Sequence, residues 1–147
     1  MIQNKIELNI LRSEWASVRA FQSKIQRHLN ASSIGIGSGG STHELRNISH
    51  NLTLLFAFSV LEKALKQMKI EGLISAKRDS LGALMSASRN HISWLDYPLV
   101  DQARGDRNLV AHEQQLIERG TCWCYLDAIE AELVAWQVLS GPIPFKH

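Results

Sequence analysis

Apolar residues recur three and four positions apart along most of this chain, which is the spacing of one face of an α-helix. Leu8, Leu11, Trp15, Val18, Phe21 or Gln22, Ile25 and Leu29 predict a first long helix over residues 4–29, with Arg12, Glu14, Arg19 and Lys24 on the other side. Ala31 to Ser41 breaks the pattern: four glycines and four serines in eleven residues predict a flexible linker at about 31–41. A glycine-rich phosphate cradle is the competing reading, but the GxxxxGK[ST] spacing is missing and no strand precedes it. Thr42 is the expected N-cap of a second helix that runs to about Lys69 and stops at Gly72. Between Leu52 and Leu61 that helix is apolar almost all round, so it should be central and covered on several sides.

Leu73 to Ser80 reads as a short connection with room for a helical turn. A third stripe, Leu81, Leu84, Met85, Ser88, Ile92 and Leu95, ends at Asp96-Tyr97-Pro98. Pro98 opens a fourth helix to about His112, in which Gly105 marks a kink or a close approach. A polar turn follows, then a last helix from a cap at Thr121 to about Leu139, closed by Gly141-Pro142. The expectation is all-α: one domain over 1–147, an up-and-down bundle of four to five helices with short loops.

Composition narrows the class. The chain has 147 residues and is 45% hydrophobic, enough for a core. A formal net charge of +2 leaves room only for a local nucleic-acid patch. Cys122 and Cys124 have no second pair with which to build a zinc site, and both read as reduced core thiols. The start MIQNKIELNI lacks the basic and apolar regions of a signal peptide, and no apolar run nears the ~18 residues of a membrane span. A soluble, cytoplasmic protein is expected.

The candidate chemistry lies in Arg107-Asn108-Leu109-Val110-Ala111-His112-Glu113. Arginine neutralises a phosphate oxygen, and histidine both takes and gives a proton near neutral pH. A dipole-stabilising histidine at a helix end is the plain alternative. Arg46-Asn47-Ile48-Ser49-His50 mimics the motif with one residue fewer and reads as a polar face, as does Arg89-Asn90-His91. Lys77 and Arg78 read as surface charge, the four tryptophans as core or dimer contacts, and His147 as a terminal residue outside the fold.

An all-helical chain with R-N-x-x-x-H near the start of its last third, and one more amphipathic helix after it, resembles the HEPN family. The resemblance covers most of the chain from about Thr42, and its specific part is Arg107, Asn108 and His112, which fit the family's R-x(4–6)-H pattern. It implies a metal-independent endoribonuclease with no cofactor, often the toxin of a toxin–antitoxin pair, active as a homodimer on RNA. RNA brings its own nucleophile, the 2′-OH, so no metal is needed. Two His112 and two Arg107 brought together by a two-fold axis would supply acid, base and clamp. Arg104, one turn earlier, is a candidate second RNA-binding cation. Asn108 would orient His112 or bind phosphate, and Glu113 would hold the imidazole or contact substrate backbone.

Two points stay open in the sequence. Residues five apart in a straight helix are turned about 140° from each other. Either the helix ends near His112 and frees the ring, or Arg104 is the phosphate clamp in place of Arg107. Some family members carry a tyrosine two residues after the histidine, where this chain has Gln114, so regulation through that tyrosine is not expected. The readings in competition with a nuclease are a non-catalytic nucleotide- or partner-binding module of the same fold and a purely structural dimerising bundle.

Overall fold

The computed structural model describes residues 1–32, 39–113 and 115–140, with side chains in those ranges except at 28–47 and 113. Five helices form among the described residues: α1 (Lys5–Ser32), α2 (Gly39–Ile70), α3 (Leu81–Ser88), α4 (Tyr97–Glu113) and α5 (Arg119–Ala135). No strand occurs there.

α2 is the hub, since it packs against each of the other four helices. The apolar run read in the sequence supplies Leu54, Phe58 and Leu61, and the stripe beyond it Leu65 and Met68, all buried, whereas Leu52 and Phe56 within the run are exposed, so the helix is covered on most sides but not all. α1 runs antiparallel to it. The Gln3 amide donates to the Glu71 carboxylate at 2.6 Å, and Lys63 pairs with Glu14 at 2.7 Å. Asn4 caps α1 by accepting from the amides of Ile6 and Glu7. Gly72, at φ +76°, ends α2, and the Leu73 amide reaches back to the Met68 carbonyl.

Several boundaries differ from expectation. α2 already includes Gly39, Gly40 and Ser41, ahead of the expected cap at Thr42. The expected linker thus shrinks at both ends, and residues 33–38 within it lie outside the described residues. No helical turn forms between Leu73 and Ser80.

α3 stops at Ser88 and does not follow its stripe to Leu95, which is exposed. Tertiary packing overrides the periodicity. The Ser88 hydroxyl donates to the Met85 carbonyl and accepts from the Trp94 indole. Trp94 then stands edge-on to Tyr97 and Trp136, with centroids 5.1 and 4.6 Å away. The chain must turn after Ser88 to seat that ring.

α5 starts two residues ahead of Thr121 and ends at Ala135, earlier than the expected Leu139. Gln137 takes a left-handed φ of 62°, which lets Val138 and Leu139 fold under the bundle as buried, non-helical residues. The expected closing glycine, Gly141, lies outside the described residues.

Only one of the two cysteines is a core residue. Cys122 is buried, and burial pushes its thiol up to about 12. Cys124 is exposed, because two residues along a helix turn the side chain about 200°. No described helix is long and apolar enough to cross a membrane.

Candidate functional site on the fourth helix

α4 is positioned by three anchors, and periodicity alone reveals none of them. Glu132 of α5 is 1% exposed, and its carboxylate accepts from the backbone amides of Leu95 at 2.6 Å and Asp96 at 2.9 Å. Asp96 in turn accepts from the Leu99 amide, capping the first turn. Further along, the Tyr125 hydroxyl donates to Asp106 and accepts from Gln102, bolting α4 to α5. Burial and the Asp106 carboxylate push the Tyr125 phenol up to about 12.

Val100 and Ala103 are buried and set the inner face of α4. Arg107, one turn on from Ala103, follows them inward and is half-buried. Its guanidinium lies 5.5 Å from the Phe58 ring centroid on α2 and donates to the Asn108 side-chain oxygen at 2.9 Å. Its Nε is buried and has no hydrogen-bond partner among the described residues. Burial draws its pKa below the usual value, the nearby Glu62 opposes that, and Arg104 adds to it. The group remains a cation at neutral pH. Among the described residues, Arg107 makes no ion pair.

Arg104 takes a different direction. It pairs with Asp101 at 2.9 Å, and its guanidinium lies over Gly82 of α3. A Cβ at Gly82 would come within 3.1 Å of it. Gly82 and Asp101 therefore belong to the surroundings of the motif, although neither carries a sequence signal.

His112 is exposed in the last turn of α4. α4 is continuous from Tyr97 to Glu113 through Gly105, and among the described residues no atom beyond the helix's own backbone lies within 4 Å of where a Cβ at Gly105 would stand, so no other backbone approaches it closely. Arg107 and His112 consequently lie about 140° apart around one axis. The helix ends at Glu113, one residue past the histidine, which is the ending near His112 that the first of the two alternatives requires. Among the described residues, the structure thus joins Arg107 with Asn108, pairs Arg104 with Asp101, and gives the exposed His112 no partner. Asn108 spends its carbonyl oxygen on Arg107. The Glu113 side chain and Gln114 lie outside the described residues.

The second motif-like segment behaves otherwise than expected. Arg46 and Asn47 have side chains outside the described set, but His50 is 2% exposed and belongs to the interior rather than to a polar face. Its ring meets Trp123 edge-on at 5.1 Å, and among the described residues neither its Nδ1 nor the Trp123 indole nitrogen has a hydrogen-bond partner. Burial first, and Arg119 second, lower its pKa from 6.5. Next to it, Asn51 accepts from the Ile117 amide at 2.9 Å and donates to the Ile117 carbonyl at 3.0 Å, which ties down the loop after α4. Lys77, Arg78 and His91 are exposed, as surface charge should be, and Arg89 stacks on Tyr97 at 4.4 Å.

Fold and site together define an all-α bundle with a half-buried arginine and a solvent-facing histidine on one helix. Comparison of the chain with protein-family models, curated proteins and solved structures gives no match.

Proposed function

We propose that this chain is a metal-independent endoribonuclease of the HEPN type, which cleaves RNA at a site shared across a homodimer. The observation that carries the reading is Arg107. It is a half-buried cation, oriented by Asn108 and backed by Phe58, with no carboxylate partner among the described residues. A cation held in this way suits a phosphodiester, which would supply the missing counter-charge. His112 adds a solvent-reachable proton carrier on the same helix.

The reaction needs no outside reagent. One His112 takes the proton from a ribose 2′-OH as the 2′-oxygen bonds to phosphorus. The P–O5′ bond breaks, and a second His112 gives its proton to the leaving oxygen. The products are a 2′,3′-cyclic phosphate and a 5′-OH end. Arg107 stabilises the charge on the phosphorane oxygens. An ideal helix turns Arg107 and His112 to different sides, which supports a second histidine, and a cleft joining it to an arginine, supplied by another copy. Arg104, freed from Asp101, would bind the flanking phosphate. A role as the toxin of a toxin–antitoxin pair, with a protein antitoxin as partner, belongs to this proposal.

One observation favours a second reading. Asn108 is committed to Arg107, and among the described residues no hydrogen bond orients the His112 ring. A helix with a braced arginine and a free-swinging histidine suits a non-catalytic nucleotide- or partner-binding module. His112→Ala separates the two. Cleavage of RNA in chelator should fall by a factor of at least 10² to 10³, with RNA binding and the unfolding midpoint unchanged. Wild-type protein that binds RNA yet leaves it intact under those conditions would establish the binding module.

A further inference from the structure

Where α3 gives way to α4, an exposed arginine rests on a braced aromatic ring. Arg89 is the C-cap of α3, and its guanidinium lies over the Tyr97 ring, 4.4 Å from the centre. Trp94 stands edge-on to Tyr97 at 5.1 Å, and its own indole nitrogen donates to the Ser88 hydroxyl at 2.9 Å, so the ring beneath Arg89 is held. Arg89 makes no ion pair among the described residues. A guanidinium plane backed on one side by a fixed ring keeps its other side for a second flat π-system.

Helical register connects this cluster to the motif. Tyr97, Asp101, Arg104 and Asn108 follow one another at spacings of four, three and four along α4, and so share a face. Arg104 is felt at both ends of that stripe. Burial and then Asp101 raise the Tyr97 pKa, with Arg89 and Arg104 acting against the rise, while burial and Arg104 both draw Arg107 down. Asp101 is taken up by Arg104, in a pair open enough to water to yield to a phosphate. Cations thus run from Arg89 through Arg104 to Arg107, and the first and last have no carboxylate partner among the described residues.

We infer that Arg89, held over Tyr97, is a platform on which one nucleobase of a bound strand stacks, while Arg104 and Arg107 hold its phosphates. Tyr97 lies ten residues before Arg107, hence about 15 Å along the axis of α4. The stacked base therefore belongs to a nucleotide that flanks the motif and not to the one beside Arg107. A guanidinium plane is a known type of stacking surface for an unpaired base. The competing role for Arg89 is a plain phosphate contact, for which charge alone would serve; the platform needs the plane. The inference rests on the reading that this chain binds RNA, and not on whether it cuts it.

The probe is a fluorescein-labelled 2′-O-methyl oligouridylate of about eight nucleotides, which has no 2′-OH through which to be cut. Affinity is read by fluorescence anisotropy over a range of salt. Arg89→Lys keeps the charge and loses the plane. It should bind about 5- to 150-fold more weakly than wild type, with the salt slope unchanged. Arg89→Gln should bind no more tightly than Arg89→Lys. The same oligomer made without bases should bind wild type and Arg89→Lys alike. Lys24→Gln, on α1, which packs on neither α3 nor α4, should bind as wild type does. Arg89→Lys at wild-type affinity, or a baseless oligomer that still separates the two proteins, would overturn the platform and leave RNA binding standing. A wild-type chain that binds neither oligomer would overturn both. Binding as expected by a chain that leaves ordinary RNA intact would support the platform and remove the nuclease.

Discussion

Replacing Glu132 by alanine should loosen the whole entry to α4. The carboxylate is 1% exposed and accepts two backbone amides, from Leu95 and Asp96. A hydrogen bond to a charged group contributes about 1.5–3 kcal/mol. Both donor residues are otherwise exposed, so water can replace part of what is lost, and the pair together should be worth roughly 2–4 kcal/mol. For a chain of this size that lowers the melting temperature by roughly 5–15 °C. Glu132→Gln keeps one acceptor oxygen and should lose about half as much. Urea unfolding followed by circular dichroism gives the free energies, and hydrogen exchange at Leu95 and Asp96 localises them. A Glu132→Ala protein within about 0.5 kcal/mol of wild type, well inside the range for inconsequential surface changes, would refute the claim that this carboxylate anchors the helix.

Two further outcomes follow from buried groups. His50 has a folded-state pKa below 6.5, so the unfolded chain takes up the proton first. Stability should therefore fall as pH drops through about 6.5 and go on falling until the folded ring itself protonates. His50→Gln should remove that slope, and identical slopes in both proteins between pH 7 and 5.5 would count against the buried neutral ring. The two thiols should also separate: Cys124 should react at once with a disulfide reagent, and Cys122, with its thiol near 12, only as fast as the protein opens. Two equally fast thiols would contradict the packing of α5.

Helix content and the central place of α2 were legible because an uninterrupted apolar run leaves few alternatives. The end of α3 was not. Ile92 and Leu95 continue the spacing, but the packing of Trp94 between Tyr97 and Trp136 outweighs it, and spacing carries no record of which ring a remote helix offers. The burial of His50 escaped for a similar reason: its neighbour Trp123 lies more than seventy positions away. Around the motif, the sequence pointed to Arg107 and to its angular mismatch with His112. It gave no sign that Asn108 would turn to the arginine or that Asp101 would take Arg104, since those choices depend on side-chain direction rather than register.

Gly82 lies beneath the Arg104 guanidinium with no room to spare. Alanine there would ask the guanidinium to give by a few tenths of an ångström, and each further side-chain atom would press more directly on the cation that Asp101 holds. The resting direction of the Arg104 side chain is thus set in part from a neighbouring helix, by the lack of a single carbon atom.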